Sequence, residues 1–456
     1  MISEKLKNIK TLVLLAGPGS GSKLFQSYID GHNQVLMTPG YILMYFYPHW
    51  KKYLKDYKSW KKITEHFLKL HPSILDSNKM KGGDYLYNLG DKKNKNIKIN
   101  KNKFKKCLLK NLSGEKINSY IFFLAIHIAY AKSIGENLNK KKILVYHMHV
   151  CWYLKDFLKD FSNAKTVTMI RDLKSNIPNR IPALEKPNTM HLNYTDAIFF
   201  KTRSYRNIIF EDFYSLDYLK KFKNTKHVVV KHEDLLDRKI KVLQFFCKYA
   251  GISFSPVMLS STTNKLKWNY RHDKKIKLIN GVAQHIKAYN VKNFFYHELY
   301  WLKFLTHTFN KKYKYISSKK KINLIGYILT LIFILIPSKK EFTLFFNFFN
   351  YYFIKSYFCN LYREAFVQKI KLYEKNAFYH HKWSNKFYPF NLINFFNKKI
   401  ILKKSFFWQF SYLSLKSVFF FLFPIVLFCE YLIRIIFCYN IFIKNILSLR
   451  FYPKKI

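Results

Sequence analysis

Three of the chain's thirteen glycines, Gly17, Gly19 and Gly21, fall within five residues, interleaved with Ser20 and followed by Ser22 and Lys23. They sit in "LLAGPGSGSKLFQSYIDGH" (14–32), where an apolar run breaks into glycine, serine and proline and restarts as a helix-forming segment. Glycine permits positive φ and close backbone approach, so a loop of this kind between a strand and a helix can wrap main-chain N–H groups around a phosphate-like anion. Ser20 and Ser22 add hydroxyl donors, and Lys23 adds a charge able to balance a departing oxyanion. The spacing departs from that of a nucleoside-triphosphatase loop. Counted from Gly17, Ser22 stands where that motif has its glycine before the lysine, and Leu24 replaces the metal-binding hydroxyl residue.

A second candidate is Arg171. Of eighty basic residues only nine are arginine, and Arg171 is the first of them in the chain. Its planar fork suits a phosphate better than the lysines around it. It ends the apolar run "AKTVTMI" and is followed eight residues later by Asn179, whose amide can also donate to phosphate. In "YHMHV", His147 and His149 lie two apart, on one face of a strand near its end. Histidine is the side chain best suited to act as a base near neutral pH, and His149 lies nearer the strand's carboxyl end. Two histidines with no third ligand nearby make a poor zinc site. Glu233 and Asp234 open a helix, where capping or packing accounts for them.

These residues need a scaffold that brings them to one edge. "TLVLLA" (11–16) is short and apolar without alternation, as expected of a parallel strand covered on both faces. "QVLMTPG" (34–40), "KKILVYHMHV" (141–150), "AKTVTMIRD" (164–172) and "KHVVVKHEDLL" (226–236) read as further strands. Helical segments alternate with them: 23–31, 41–70, 118–135, "CWYLKDFLKDF" and "KIKVLQFFCKYAG", the last stopped by Gly251. Such alternation predicts a doubly wound parallel α/β sheet, whose ligands bind at the carboxyl ends of the strands. The polar, low-complexity stretch 88–106 reads as a solvated insertion.

Three segments taken together resemble the sulfotransferase family. "GPGSGSKLFQSYIDGHNQVL" is similar to its 5′-phosphosulfate loop, helix and Asp-Gly-His turn. "AKTVTMIRDLKSNIPNR" is similar to its 3′-phosphate strand. "HVVVKHEDLLDRKIKVLQFFCKYAGISFSP" is similar to its later strand–helix unit with Tyr-Glu-Asp-Leu. The resemblance covers roughly residues 11–275 and implies a P-loop-like fold using 3′-phosphoadenosine 5′-phosphosulfate (PAPS), with sulfuryl transfer to a hydroxyl or amine. It implies that Gly17, Gly19, Ser20, Gly21, Ser22 and Lys23 hold the phosphosulfate, with Arg171 and Asn179 on the 3′-phosphate. Lys23 and His149 are the implied catalytic residues. Gly19 stands where the family has a basic residue, Lys23 where it has threonine, Leu173 where it has proline and Asn179 where it has serine. "STTNKLKWNYRH" (261–272) corresponds to a segment close to the nucleotide, which puts Lys265, Lys267 and Trp268 near cofactor or acceptor. An inactive nucleotide-binding scaffold and a nucleotide-dependent phosphotransferase stay open as alternatives.

At 456 residues, 49% hydrophobic and 19% aromatic, the chain can bury more than one core. Its formal charge of +54 attracts anions, among them acidic glycans, nucleotides and anionic lipids. No zinc-finger spacing or RNA-binding signature accompanies that charge, so no nucleic-acid partner is expected. Six scattered cysteines without a Cys-x-x-Cys pair fit a reducing compartment. The apolar stretch near the N-terminus is too short for a secretory signal. Beyond residue 300 there is no aspartate and only four glutamates, while 322–337 and 417–437 are strongly apolar and flanked by lysines. The organisation expected is therefore a nucleotide-binding domain over 1–300 and a helical, apolar region over 301–456, whose two apolar segments read as interfacial or re-entrant helices at an anionic membrane surface, as buried helices of a C-terminal subdomain, or as membrane spans. A glycan or glycolipid acceptor, the cytoplasmic side of a membrane and, from the AT-rich codon signature, a bacterial source complete the expectation.

Overall fold

A computed structural model describes residues 2–16, 19–40, 42–77, 89–92, 94–148, 153–173, 219–222, 224–268, 294–316 and 324–337. It also describes 176, 278–279, 282–283, 339, 454–455 and ten helical positions between 425 and 443. The chain divides into two units, one of Met1–Arg171, Ser215–Lys287 and Tyr452–Ile456, the other of Asp172–Tyr214 and Ala288–Phe451.

The first unit is built on a parallel sheet of β1 (Lys10–Ala16), β2 (Val35–Leu36), β3 (Ile143–Met148), β4 (Lys165–Ile170) and β5 (His227–Lys231), with Lys454–Lys455 added beside β5. The strand order is β5-β4-β1-β3-β2. In register, Lys10 lies opposite Ile143, Leu12 opposite Lys165, and Thr166 opposite His227. Leu12–Leu15 and all of β3 are buried, as their unbroken apolar character requires of strands covered on both sides. Each such fully buried large side chain contributes about 1.5–3 kcal/mol relative to exposure.

Alternation along β3 shows what covers each face. Tyr146 stacks on Phe157 and meets Phe123 edge-on, so the helices Ser119–Ser133 and Leu154–Asp160 lie on its side. His147 points the other way, to Gln26 of the helix Ser22–Ile29. That helix packs through Phe25 against Phe246 of the helix Lys239–Ala250. The sheet is doubly wound. The chain lays β2 and β3 on one side of β1, then β4 and β5 on the other, so the order reverses at β1 and opens a crevice at the carboxyl ends of β1, β3 and β4.

Two local expectations are corrected. The strand in 34–40 is only Val35–Leu36. Beyond it the backbone carbonyls of Thr38, Gly40 and Leu43 are held by the Gln26 and Tyr146 side chains rather than by a ladder. The segment 88–106 is also more than a solvated insertion. Leu89, Ile97 and Ile99 are buried, and Asn100 caps the helix Lys101–Leu112, which buries Phe104, Leu108 and Leu112. Its apolar residues are spaced among lysines that point outward, which is why composition alone misreads it.

In the second unit the helices Tyr296–Leu305 and Leu324–Leu335 pack through Tyr300 on Phe333 and Phe304 on Tyr327. Among the described residues no helix is long and apolar enough to cross a membrane.

Candidate functional site

The site lies in the first unit, at the crevice where β1 and β4 end. After β1 the chain passes Gly19 at φ +79° and Gly21 at φ +85° before entering the helix Ser22–Ile29. Both conformations are left-handed, and a side chain there is strained by about 1–2 kcal/mol. This explains the glycine at 19: a basic residue would have to adopt that conformation. Gly21 is also the helix N-cap, and it brings no side-chain acceptor to the first-turn amides. Ser20 and Ser22 are buried in the loop, and Lys23 faces a neighbouring cleft.

Gly21 is constrained a second time. A Cβ at this position would lie 2.2 Å from Nδ1 of His232, so the imidazole rests directly against the loop backbone. His232 is the first residue after β5, opening the helix His232–Asp237, and it is buried. Sequence reasoning passed over it in favour of Glu233 and Asp234. Its position, first after a strand whose end reaches the crevice, was the signal that could have found it. Asp234 instead pairs with Arg238 at 2.6 Å, one turn along, in the packing role expected of it.

Arg171 follows β4 directly, and its Nη1 lies 3.5 Å from the carbonyl oxygen of Gly19, the long limit of a hydrogen bond. The glycine loop and the first arginine of the chain therefore share one crevice. Its Nε is buried and has no hydrogen-bond partner among the described residues. A guanidinium donor left this way is one that an anion would satisfy.

The neighbouring cleft is bounded by the hairpin of β6 (Thr262–Thr263) and β7 (Leu266–Lys267), whose turn residues Asn264 and Lys265 have φ of +53° and +61°. Asp30 holds that turn. Its carboxylate accepts from Thr262 Oγ1 at 2.8 Å, from the Asn264 amide at 3.0 Å and from the Lys265 amide at 2.8 Å. Burial pushes its carboxyl above the ordinary range, and those three donors pull it partly back. The hydroxyls of Ser27 and Ser261 meet at 2.7 Å beside it. His32 completes the clip: Nδ1 accepts from the Gln34 amide, so Nε2–H donates to the Ser253 carbonyl at 2.9 Å. The Asp-Gly-His sequence thus fastens the helix Ser22–Ile29 to the later hairpin.

Between helix and hairpin lies a narrow open cleft, with room for about 10 Å3, lined by Lys23, Gln26, Met37, Pro39, Thr263 and Trp268. Trp268 and Lys23 both line it. Lys267 is engaged elsewhere, with Asp91 at 2.9 Å, and the Lys265 amide is taken by Asp30. His147 is buried, and its Nδ1–H donates to Gln26 Oε1 at 2.5 Å, because the Gln26 amide nitrogen is committed to the carbonyls of Thr38 and Gly40. It therefore links β3 to the glycine-loop helix. Gly17, His149 and Asn179 lie outside the described residues.

No family model matches the chain, and no curated protein matches it. Among solved structures it is similar to a sulfotransferase domain from the curacin biosynthetic pathway, at 14% identity over 70% of this chain and 96% of that one, with a TM-score of 0.31. It is also similar to a sulfotransferase domain from the Synechococcus PCC 7002 olefin synthase, at 13% identity over 72% and 95%, with a TM-score of 0.33. Neither score reaches 0.5.

Proposed function

We propose that the protein is a sulfotransferase that uses PAPS to sulfate a hydroxyl or amine of a glycan or glycolipid. The observation that carries this reading is the Arg171 guanidinium 3.5 Å from Gly19 O, one cation at the mouth of a glycine loop that opens a helix. The orphaned Nε of Arg171 and the absence of a side-chain acceptor at the Gly21 N-cap fit a ligand with two separated anionic groups. PAPS when bound supplies an activated sulfuryl group. The amides of Gly19–Lys23 and the Ser20 and Ser22 hydroxyls hold its 5′ end, with Gly17 completing the loop. Arg171 and Asn179 hold the 3′-phosphate. Lys23 balances negative charge that develops at the departing oxygen, and His149 takes the proton from the acceptor. The +54 charge and the apolar C-terminal region support a glycan or glycolipid acceptor.

Adenosine 3′,5′-bisphosphate is expected to bind the purified chain in calorimetric titration. Arg171→Ala should weaken it by about 1.5–3 kcal/mol, the scale of a charged hydrogen bond. Unchanged affinity would remove the 3′-phosphate role. Lys23→Ala should retain most of the bisphosphate affinity and lose sulfuryl transfer to membrane extracts by about 100-fold or more. A chain that binds the bisphosphate and transfers nothing from radiolabelled PAPS is the scaffold alternative, which the fixed glycine at 19 favours. A phosphotransferase is disfavoured by Leu24, buried where a hydroxyl would be needed to hold a metal.

A further inference from the structure

The second unit carries a feature that sulfuryl transfer does not use. The helix Leu324–Leu335 exposes Leu324, Ile325, Ile328, Ile332, Leu335 and the following Ile336, which fall within about a third of the helical circumference. Every described position between Ile425 and Ile443 is helical, and Ile425, Phe428, Leu432, Ile436 and Ile443 form a second outward stripe. All eleven are more than a third exposed.

The two helices are partners. Tyr327 meets Phe442 with ring centroids 5.5 Å apart, and Tyr439 donates to the Leu331 carbonyl at 2.6 Å, so rising numbers in one meet falling numbers in the other. Thr330 is buried and donates to Gly326 O at 2.7 Å, the Tyr439 hydroxyl turns inward, and Ile334, Ile435 and Phe442 are buried as well, so the outward stripes are apolar surface in addition to a filled inner face.

The ends of the pair are polar. The Lys339 amide donates to Glu298 Oε2 at 3.1 Å, and His297 Nε2 donates to Pro337 O at 3.2 Å, both at the carboxyl end of the first helix. Lys339 is exposed there, and the sequence places Lys319–Lys321 before that helix, Lys340 after it and Lys444 after Ile443. Cations at both ends of an apolar face complement a layer of anionic headgroups. The twelve described residues of this helix reach about 18 Å, against the roughly 30 Å of a hydrocarbon core. The helix therefore fits in the plane of a membrane rather than through it.

We propose that this antiparallel helix pair lies in the interface of an anionic bilayer, its two aliphatic stripes in the acyl region and its flanking lysines among the headgroups. The test is flotation of the full chain with vesicles of phosphatidylcholine alone or with about a third phosphatidylglycerol. The chain is expected to float with the anionic vesicles and to stay bound in molar salt, because acyl insertion is not screened. Ile328→Glu with Ile332→Glu should abolish flotation while leaving the thermal melt unchanged, since both side chains already face outward. Ile328→Leu with Ile332→Leu should float as the natural chain does. Failure of the natural chain to float, or flotation of the glutamate pair, overturns the proposal. So does a lipid-free oligomer that the glutamate pair dissolves without any flotation, which would assign the face to a second copy. Bisphosphate binding is independent of every arm.

Discussion

Gly21→Ala is expected to destabilise the protein by about 2–5 kcal/mol, a large part of the 5–15 kcal/mol that holds an ordinary domain folded. Two costs add at this position. The backbone is left-handed at φ +85°, which charges an alanine about 1–2 kcal/mol. The added methyl would also sit 2.2 Å from Nδ1 and 2.8 Å from Cε1 of His232. Displacing a buried ring costs about a further 1–3 kcal/mol. The midpoint of urea unfolding measures the sum, and a loss of only the backbone part, about 1–2 kcal/mol, would mean that the imidazole does not rest on the loop. Adding His232→Ala to the variant separates the two costs. The steric part should be recovered and the backbone part should remain, a coupling that a double-mutant cycle reads directly. The same variant should lose bisphosphate affinity, because the amides that hold the anion move with the loop.

Asp30→Ala should cost about 3–5 kcal/mol, because three donors lose a charged acceptor at once and two of them are main-chain amides of a tight turn. The refund from no longer burying a carboxylate keeps the figure below a simple sum of three bonds. Asp30→Asn, with the same shape and one acceptor fewer, should fall between the two. Hydrogen exchange at the Asn264 and Lys265 amides is the local check. Both should exchange slowly in the natural chain and open in the alanine variant. Equal protection in both chains would show that the turn stands without the carboxylate. The consequence for the site is direct: Trp268 and Thr263 line the cleft with Lys23 only while the hairpin is pinned.

The parallel sheet was legible because its strands are short, apolar and unbroken by alternation, a pattern that fits strands covered on both faces and is written residue by residue. "TLVLLA", "ILVYHM" and "KTVTMI" needed no knowledge of their neighbours. The glycine loop was legible for a similar reason, since left-handed backbone at Gly19 and Gly21 leaves a local mark in residue type. Arg171 stood out against a lysine background, and its place at a strand end followed from the apolar run before it. Segment 88–106 failed this approach, because its burial depends on which of its few apolar residues find a core.

Pairings between distant residues belong to the tertiary structure alone. Nothing in "DGH" announces that its aspartate will hold a hairpin more than 230 positions later, or that His232 will lie on Gly21. Such contacts depend on strand order, and strand order is set by how the whole sheet packs rather than by any one segment. What the sequence determined by itself was the chemistry available at each strand end, through residue type and local backbone freedom. The fold decided which of those ends meet, because a topological reversal at β1 brings the β1 loop and the end of β4 to one crevice.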